Sequence, residues 1–153
     1  MKTFFIISDT HGRLELNENL LQIIKDSDYI IHLGDGKNDL YALPKEFDDK
    51  VYSVSGNCDG GGDDKIIDVD GYKILLTHGH NYGVKSGLLH IKYYAKSKGV
   101  NAVFFGHTHI PEIVEEDGIT FINPGSFRSY YGGSYCYAVL SNNKLISKIV
   151  KIS

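Results

Sequence analysis

The chain has 153 residues, 42% of them hydrophobic and 23% charged, with a net charge of −3. This fits one globular domain, residues 1–153, with a sizeable core, and excludes both a disordered chain and a bulk basic field for nucleic acid or membrane. Two cysteines are too few for a disulfide framework, and the opening MKTFFIISD matches neither a secretory signal nor a membrane span, so the expected compartment is a reducing cytoplasm.

Thr3–Ile7 is a continuous apolar run rich in β-branched and aromatic residues, the pattern of a buried strand. It runs out at Ser8 and delivers Asp9 and His11 at alternate positions, with Gly12 next. A carboxylate and an imidazole so spaced can converge on one cation. Leu14–Asp26 reads as an amphipathic helix, with Leu16, Leu20, Ile23 and Ile24 on one face and Glu15, Glu18, Asn19, Gln22 and Lys25 on the other. Tyr29–Leu33 is a second buried strand, ending at Gly34-Asp35-Gly36. Strand, helix and parallel strand form a βαβ unit, whose functional edge lies at the carboxyl ends of its strands. Asp9 and Asp35 both fall there.

Asn38–Leu43 is read as a short helix stopped by Pro44, and Val51–Val54 as a third strand ending in Ser55-Gly-Asn-Cys-Asp59. Lys65–Val69 and Tyr72–Thr77 pair across Asp70-Gly71, a strong hairpin signal, and the second strand empties into His78-Gly79-His80. Val84–Lys98 is a second helix, with Val84, Leu88, Ile91 and Ala95 inward and Lys85, Lys92, Lys96 and Lys98 on a solvated face; Gly99 is placed to cap it. Asn101–Phe105 is a fifth core strand and runs into Gly106-His-Thr-His109. A hairpin, Ile110–Glu115 and Ile119–Ile122, leads to the turn Asn123-Pro-Gly-Ser126 and an aromatic loop, Phe127–Gly133. Tyr135–Leu140 and Lys144–Lys151 close the chain as antiparallel strands; Tyr130, Tyr131, Tyr135 and Tyr137 are read as sheet-surface packing. Two sheets face to face with helices outside would bury all of these elements.

Five core strands therefore end in D-x-H, G-D, G-N-C-D, H-G-H and G-H-T-H. Turn chemistry explains one or two such endings but not five in succession. Oxygen donors mixed with imidazoles, without a cysteine cluster, suit Mn, Fe, Ni or Zn rather than a thiolate zinc site. Two cations about 4 Å apart would need a set of this size with one shared carboxylate, and Asp9, His11, Asp35, Asn57, His78, His107 and His109 supply it. Glycines gather beside these residues (Gly12, Gly34, Gly56, Gly79 and Gly106), where close backbone approach is expected.

The ordered set resembles the calcineurin-like metallophosphoesterases, most closely the small YfcE-like phosphodiesterases related to the retromer subunit Vps29. The resemblance implies an α/β, four-layer metallophosphoesterase-like sandwich, two mixed β-sheets flanked by α-helices. It implies a first metal on Asp9, His11, His109 and a bridging Asp35, and a second on Asp35, Asn57, His78 and His107, with Mn or Ni favoured. It also implies a dinuclear-metal-dependent phosphodiesterase in which a metal-bridging hydroxide attacks phosphorus in line. Many larger relatives read G-N-H-[DE] where this chain has Cys58, which leaves the general acid open. His80 and Arg13 are candidates for approaching the phosphate, and Asp59 for hydrogen-bonding a ligand histidine from behind. Cys58 is read as a partly buried thiol of low reactivity, and Arg128 with Asn123–Ser126 as a structural turn or a rim.

The expected partner is a small phosphoester, with no membrane and no specific nucleic-acid partner, and homodimerisation is left open. The alternatives are a phosphomonoesterase or nucleotidase, which the missing histidine at Cys58 disfavours, and a Vps29-like binding scaffold, which the intact ligand set disfavours.

Overall fold

A computed structural model describes residues 1–128 and 132–152. Tyr130 and Tyr131 lie outside the described residues. In chain order the elements are β1 (Lys2–Ile7), α1 (Glu18–Asp26), β2 (Tyr29–His32), β3 (Val51–Ser53), β4 (Lys65–Val69), β5 (Tyr72–Leu76), α2 (Leu89–Lys98), β6 (Ala102–Phe104), β7 (Glu112–Glu116), β8 (Ile119–Asn123), β9 (Gly133–Ser141) and β10 (Lys144–Ile152). They form two mixed five-stranded sheets, in the orders β10-β9-β1-β2-β3 and β4-β5-β6-β8-β7.

The apolar alternation within each strand builds the layers. Phe4 and Ile6 of β1 pack with Ile74, Leu76 and Phe104 of the other sheet, making the core between the two sheets. Phe5 and Ile7, on the opposite face, pack against Leu20 and Ile24 of α1. On the far side, Leu75 and Val103 pack against Ile91 and Ala95 of α2. Strands covered on both faces read as unbroken apolar runs, which is why β1 and β2 do. The result is a four-layer sandwich of two mixed sheets between helices. Among the described residues no helix is long and apolar enough to cross a membrane.

Both helices are shorter than their sequence patterns suggest. α1 begins at Glu18, because Asn17 stands in extended backbone and its side-chain oxygen accepts the Leu20 amide as an N-cap. Leu14 and Leu16 still pack on the sheet, from a non-helical lead-in. α2 begins at Leu89 rather than Val84: Gly87 takes φ +129°, far from helical backbone, and Val84–Ser86 is a separate 3-10 turn. Lys85 therefore leaves the helix face it would have shared with Lys92 and Lys96. Gly99 caps α2 at φ +66° as its position suggested. A 3-10 turn at Lys45–Lys50, with no clear sequence signal, brings Lys50 Nζ to the Ile24, Lys25 and Ser27 carbonyls at the end of α1.

Parallel pairing brings the strand ends together. β1 and β2 run in register from Phe4 opposite Tyr29 to Ile7 opposite His32, and the pairing continues past both strands, with Asp9 N–H donating to Gly34 O at 2.9 Å and His11 N–H to Asp35 O at 3.1 Å. In the other sheet β5 and β6 are parallel, and Gly106 N–H donates to His78 O at 3.1 Å. Each sheet thus presents an edge of polar loops at its carboxyl end.

Candidate metal centre

These two edges face each other. Asp9 is fully buried, and its Oδ1 lies 3.1 Å from His109 Nε2, 3.7 Å from His11 Nε2 and 3.8 Å from His78 Nε2. The two outer imidazoles are themselves close, His11 Nε2 to His109 Nε2 at 3.3 Å. Asp35, 3% exposed, sets its Oδ2 3.2 Å from His78 Nε2, which is 3.2 Å from His107 Nδ1. Three overlapping groups have ligand atoms all within 4.8 Å of one another: Asp9, His11 and His109; Asp35, His78 and His107; and His11, Asp35 and Cys58. Asp35 belongs to two of the three, as a carboxylate shared between two ions would.

The donor set fits divalent cations on three counts. Ligands about 2.1 Å from an ion stand ~3.0 Å apart at octahedral and ~3.4 Å apart at tetrahedral angles, and the closer contacts above fall in that range. Buried carboxylates require a compensating charge, yet among the described residues neither Asp9 nor Asp35 pairs with a lysine or arginine. Finally, His78 Nδ1 lies 2.7 Å from the carbonyl oxygen of Leu33, which can only accept. The proton is therefore on Nδ1, and Nε2 turns a lone pair toward the centre, the usual orientation of a metal-binding histidine.

Backbone strain is concentrated at the same place. Among the described residues nine non-glycine positions have positive φ: four are hairpin residues, Asp70, Asp117, Asn142 and Asn143, and the other five are Asp9, His11, Asp35, His107 and His109. Left-handed backbone costs an ordinary residue on the order of 1 kcal/mol, and the clustering marks a functional edge. Of the adjoining glycines, Gly34, Gly56, Gly79 and Gly106 are needed for space, whereas Gly12, expected to allow a close approach, has nothing within 4 Å and serves only its positive φ. A Cβ on Gly106 would stand 2.1 Å from Ser8 Oγ and 2.8 Å from Asp9 Oδ2; one on Gly56 would stand 2.2 Å from Asp35 Oδ1, and one on Gly34 2.5 Å from Gly56 N.

The remaining candidates are placed as follows. Asn57 is exposed, its amide 3.8 Å from Cys58 Sγ, and among the described residues no hydrogen bond joins it to the other six ligand candidates. His80 packs beside the inner pair, its ring 5.4 Å from that of His78 and 6.2 Å from that of His107, and among the described residues its buried Nδ1 has no hydrogen-bond partner. The Arg13 side chain is 58% exposed and turns to Glu15 at 3.6 Å, so it is not drawn into the centre.

Asp59 corrects the sequence-based expectation. Among the described residues its carboxylate binds no histidine but accepts four backbone N–H groups, from Asp35 (2.7 Å), Gly56 (2.9 Å), Gly36 (3.0 Å) and Lys37 (3.2 Å). Its burial alone would raise its pKa; the four donors outweigh that and hold it below the ordinary aspartate value. Cys58 is likewise exposed rather than partly buried. The charge of Asp35 beside it, aided by slight desolvation and a hydrogen bond to Asp35, raises its pKa and keeps the thiol protonated, hence weakly nucleophilic. Burial, then the neighbouring His78 and the charge of Lys85, lowers the pKa of His107 and favours the neutral, metal-binding imidazole.

A supporting layer lies beneath the ligands. Ser8 Oγ–H donates to Asp9 Oδ2 at 2.5 Å, and Ser126 Oγ–H donates to Asp9 O at 2.7 Å. Buried Asn123 donates to Gly106 O and Thr108 Oγ1, tying down the loop that carries His107 and His109. Asn123–Ser126 is therefore a structural turn rather than a rim. Buried His32 accepts the Gly34 amide at Nδ1, so its Nε2–H donates to Thr10 Oγ1, whose hydroxyl lies against Asp39. Ser8 and Thr10 flank Asp9 in the sequence and had a local signal; His32, inside an apolar run, had none.

The profile of the calcineurin-like phosphoesterase superfamily domain matches residues 1–144. The chain belongs to that superfamily. It is 39% identical over 130 residues to the probable metallophosphoesterase YsnB of Bacillus subtilis, covering 80% of this chain and 73% of that protein. It is 29% identical over 161 residues to the phosphodiesterase MJ0936 of Methanocaldococcus jannaschii, covering 91% of this chain and 92% of that one. Among solved structures, a predicted phosphoesterase of Streptococcus pneumoniae superposes with a TM-score of 0.77 at 22% identity, over 98% of this chain and 89% of that one, which speaks to the fold. Superfamily membership and the adjacent ligand clusters together support a metal-dependent phosphoesterase.

Proposed function

We propose that this single-domain chain is a cytoplasmic phosphodiesterase working with two divalent cations. Asp9, His11, His109 and Asp35 would hold one, and Asp35, Asn57, His78 and His107 the other, with manganese or nickel the expected metals. The observation that carries this is the buried pair Asp9 and Asp35, ringed by imidazoles and without a lysine or arginine partner among the described residues. Bound there, such ions supply Lewis acidity toward phosphoryl oxygens and a lowered pKa for water.

The chain's own groups do the rest. The Leu33 carbonyl keeps the His78 lone pair on the centre, and the Asp59 carboxylate fixes the Asp35 and Gly56 backbones together. His11 and His109, with side chains 36% and 44% exposed, form the open side by which an ester enters. His80, whose buried Nδ1 has no partner among the described residues, is the group assigned to hold a proton for the departing oxygen in place of the histidine that Cys58 replaces. Diesters are favoured over monoesters because relatives matched over nine-tenths of their length include the phosphodiesterases MJ0936 and YfcE, and Cys58 stands where many larger relatives have a histidine. Free Cys58 and Cys136 accord with a reducing compartment.

The test is demetallated protein reconstituted with manganese or nickel and offered bis(p-nitrophenyl) phosphate and p-nitrophenyl phosphate. Metal-dependent turnover that prefers the diester and disappears in Asp35→Asn and His107→Ala is expected. A preference for the monoester, or metal-loaded protein inert on both esters, would overturn it.

A further inference from the structure

Lys85, expected on a solvated helix face, stands elsewhere because α2 starts at Leu89, five residues later than its sequence pattern suggests. Its turn, Val84–Ser86, lies between Gly83 and Gly87, both at positive φ. The turn is seated on the ligand loop itself: Val84 is buried so close to Gly79 that a Cβ there would meet Val84 Cγ2 at 2.9 Å. Lys85, next to Val84 in the chain, is thereby carried beside His78-Gly79-His80, where it is exposed to solvent. Lys92 and Lys96 of α2 pair with Glu116 and Asp117, whereas among the described residues Lys85 makes no salt bridge.

The turn also walls a groove of about 450 Å³, lined by Val84, Lys85, Leu88, Thr108, Ile110 and Glu112. Thr108 stands between His107 and His109, so the groove opens beside the metal-ligand loop and runs along the chain toward β7. Leu88 and the 64%-exposed Ile110 make its walls apolar, and Glu112 carries negative charge at the far end of that chain path. A cation near the centre, apolar walls and a remote carboxylate complement one kind of ligand: a phosphoryl group attached to an uncharged, largely apolar organic group.

We propose that this groove is the subsite for an apolar ester group of the substrate, and that Lys85 is the contact for its phosphoryl oxygens. The proposal rests on the phosphoester reading above and adds a specificity: aryl-type esters over esters ending in a second anion.

Binding to zinc-loaded protein, followed by amide NMR, tests it apart from turnover. Phenylphosphonate should shift Gly87, Leu88, Thr108 and Ile110, whereas inorganic phosphate should shift Thr108 but not Leu88. Lys85→Ala should weaken both about tenfold, the usual scale for one charge-assisted contact, while Lys85→Arg stays within about twofold of the parent. Glu112→Gln should leave phenylphosphonate unchanged and strengthen 4-carboxyphenylphosphonate. Equal affinity in Lys85→Ala and the parent, or phenylphosphonate shifts confined to other surfaces, overturns the proposal. So does failure of phenylphosphonate to bind at all. Lys85-dependent binding in a protein that hydrolyses no ester would uphold the subsite and remove the enzyme; active protein indifferent to Lys85→Ala would do the reverse.

Discussion

Replacing Asp59 by asparagine isolates the backbone clamp behind the shared carboxylate. In the native chain Oδ2 accepts from the Asp35 and Gly56 amides and Oδ1 from those of Gly36 and Lys37. An asparagine of the same shape keeps one accepting oxygen, so two of the four N–H groups come to face an NH₂ group instead. A hydrogen bond to a charged acceptor contributes about 1.5–3 kcal/mol, and a donor left unsatisfied costs about 1–3 kcal/mol. Because the site is partly open to water, the loss should fall at the low end, about 2–4 kcal/mol in all. Urea unfolding of metal-free protein reads that loss directly. Isothermal titration should also show metal affinity at the Asp35 side reduced by about 10–100-fold, as for other groups that orient ligands. Asp117→Asn, which breaks only exposed pairs with Lys92 and Lys96, serves as the control and should leave the unfolding midpoint close to that of the parent. An Asp59→Asn protein as stable as the control and binding metal like the parent would refute the clamp.

Gly106→Ala should cost about 1–3 kcal/mol and weaken metal binding, since its Cβ would stand 2.1 Å from Ser8 Oγ and 2.8 Å from Asp9 Oδ2; unfolding with and without metal checks it. His32 gives an acid-range signature. Burial, partly offset by Asp59, lowers its pKa to about 4 from an ordinary value near 6.5, so its contribution is complete above pH ~6.5 and drains away as pH falls toward 4. The total is about 3 kcal/mol, and stability profiles should flatten over that window in His32→Gln. Asp59 acts in the same sense at lower pH, its contribution being lost as pH falls through its depressed folded value.

Much of the fold was legible because the core strands are buried on both faces and their polar ends stand out against apolar runs. Glycine beside each ligand could be read as close approach, and Gly34, Gly56 and Gly106 have that role. What failed was set by single backbone choices: the Asn17 cap shortens α1, and Gly87 detaches Lys85 from α2. Hydrophobic periodicity does not register either, because Leu14, Leu16, Val84 and Leu88 still pack inward from non-helical backbone. The work of Asp59 was misjudged for a different reason. A carboxylate near ligand histidines suggests a side-chain partner, but here four amides from two converging loops point at it, a fact of tertiary geometry. His32 was invisible because its partner Thr10 lies 22 residues away.

The central claim is that one ester-hydrolysing site is completed by two ions held through a shared Asp35. Its most direct test is diester hydrolysis measured as manganese is added stepwise to demetallated protein, with bound metal counted at each step. Activity should follow occupancy of the second ion and level off at about two equivalents per chain. Full activity at one equivalent, or none with two bound, would contradict it.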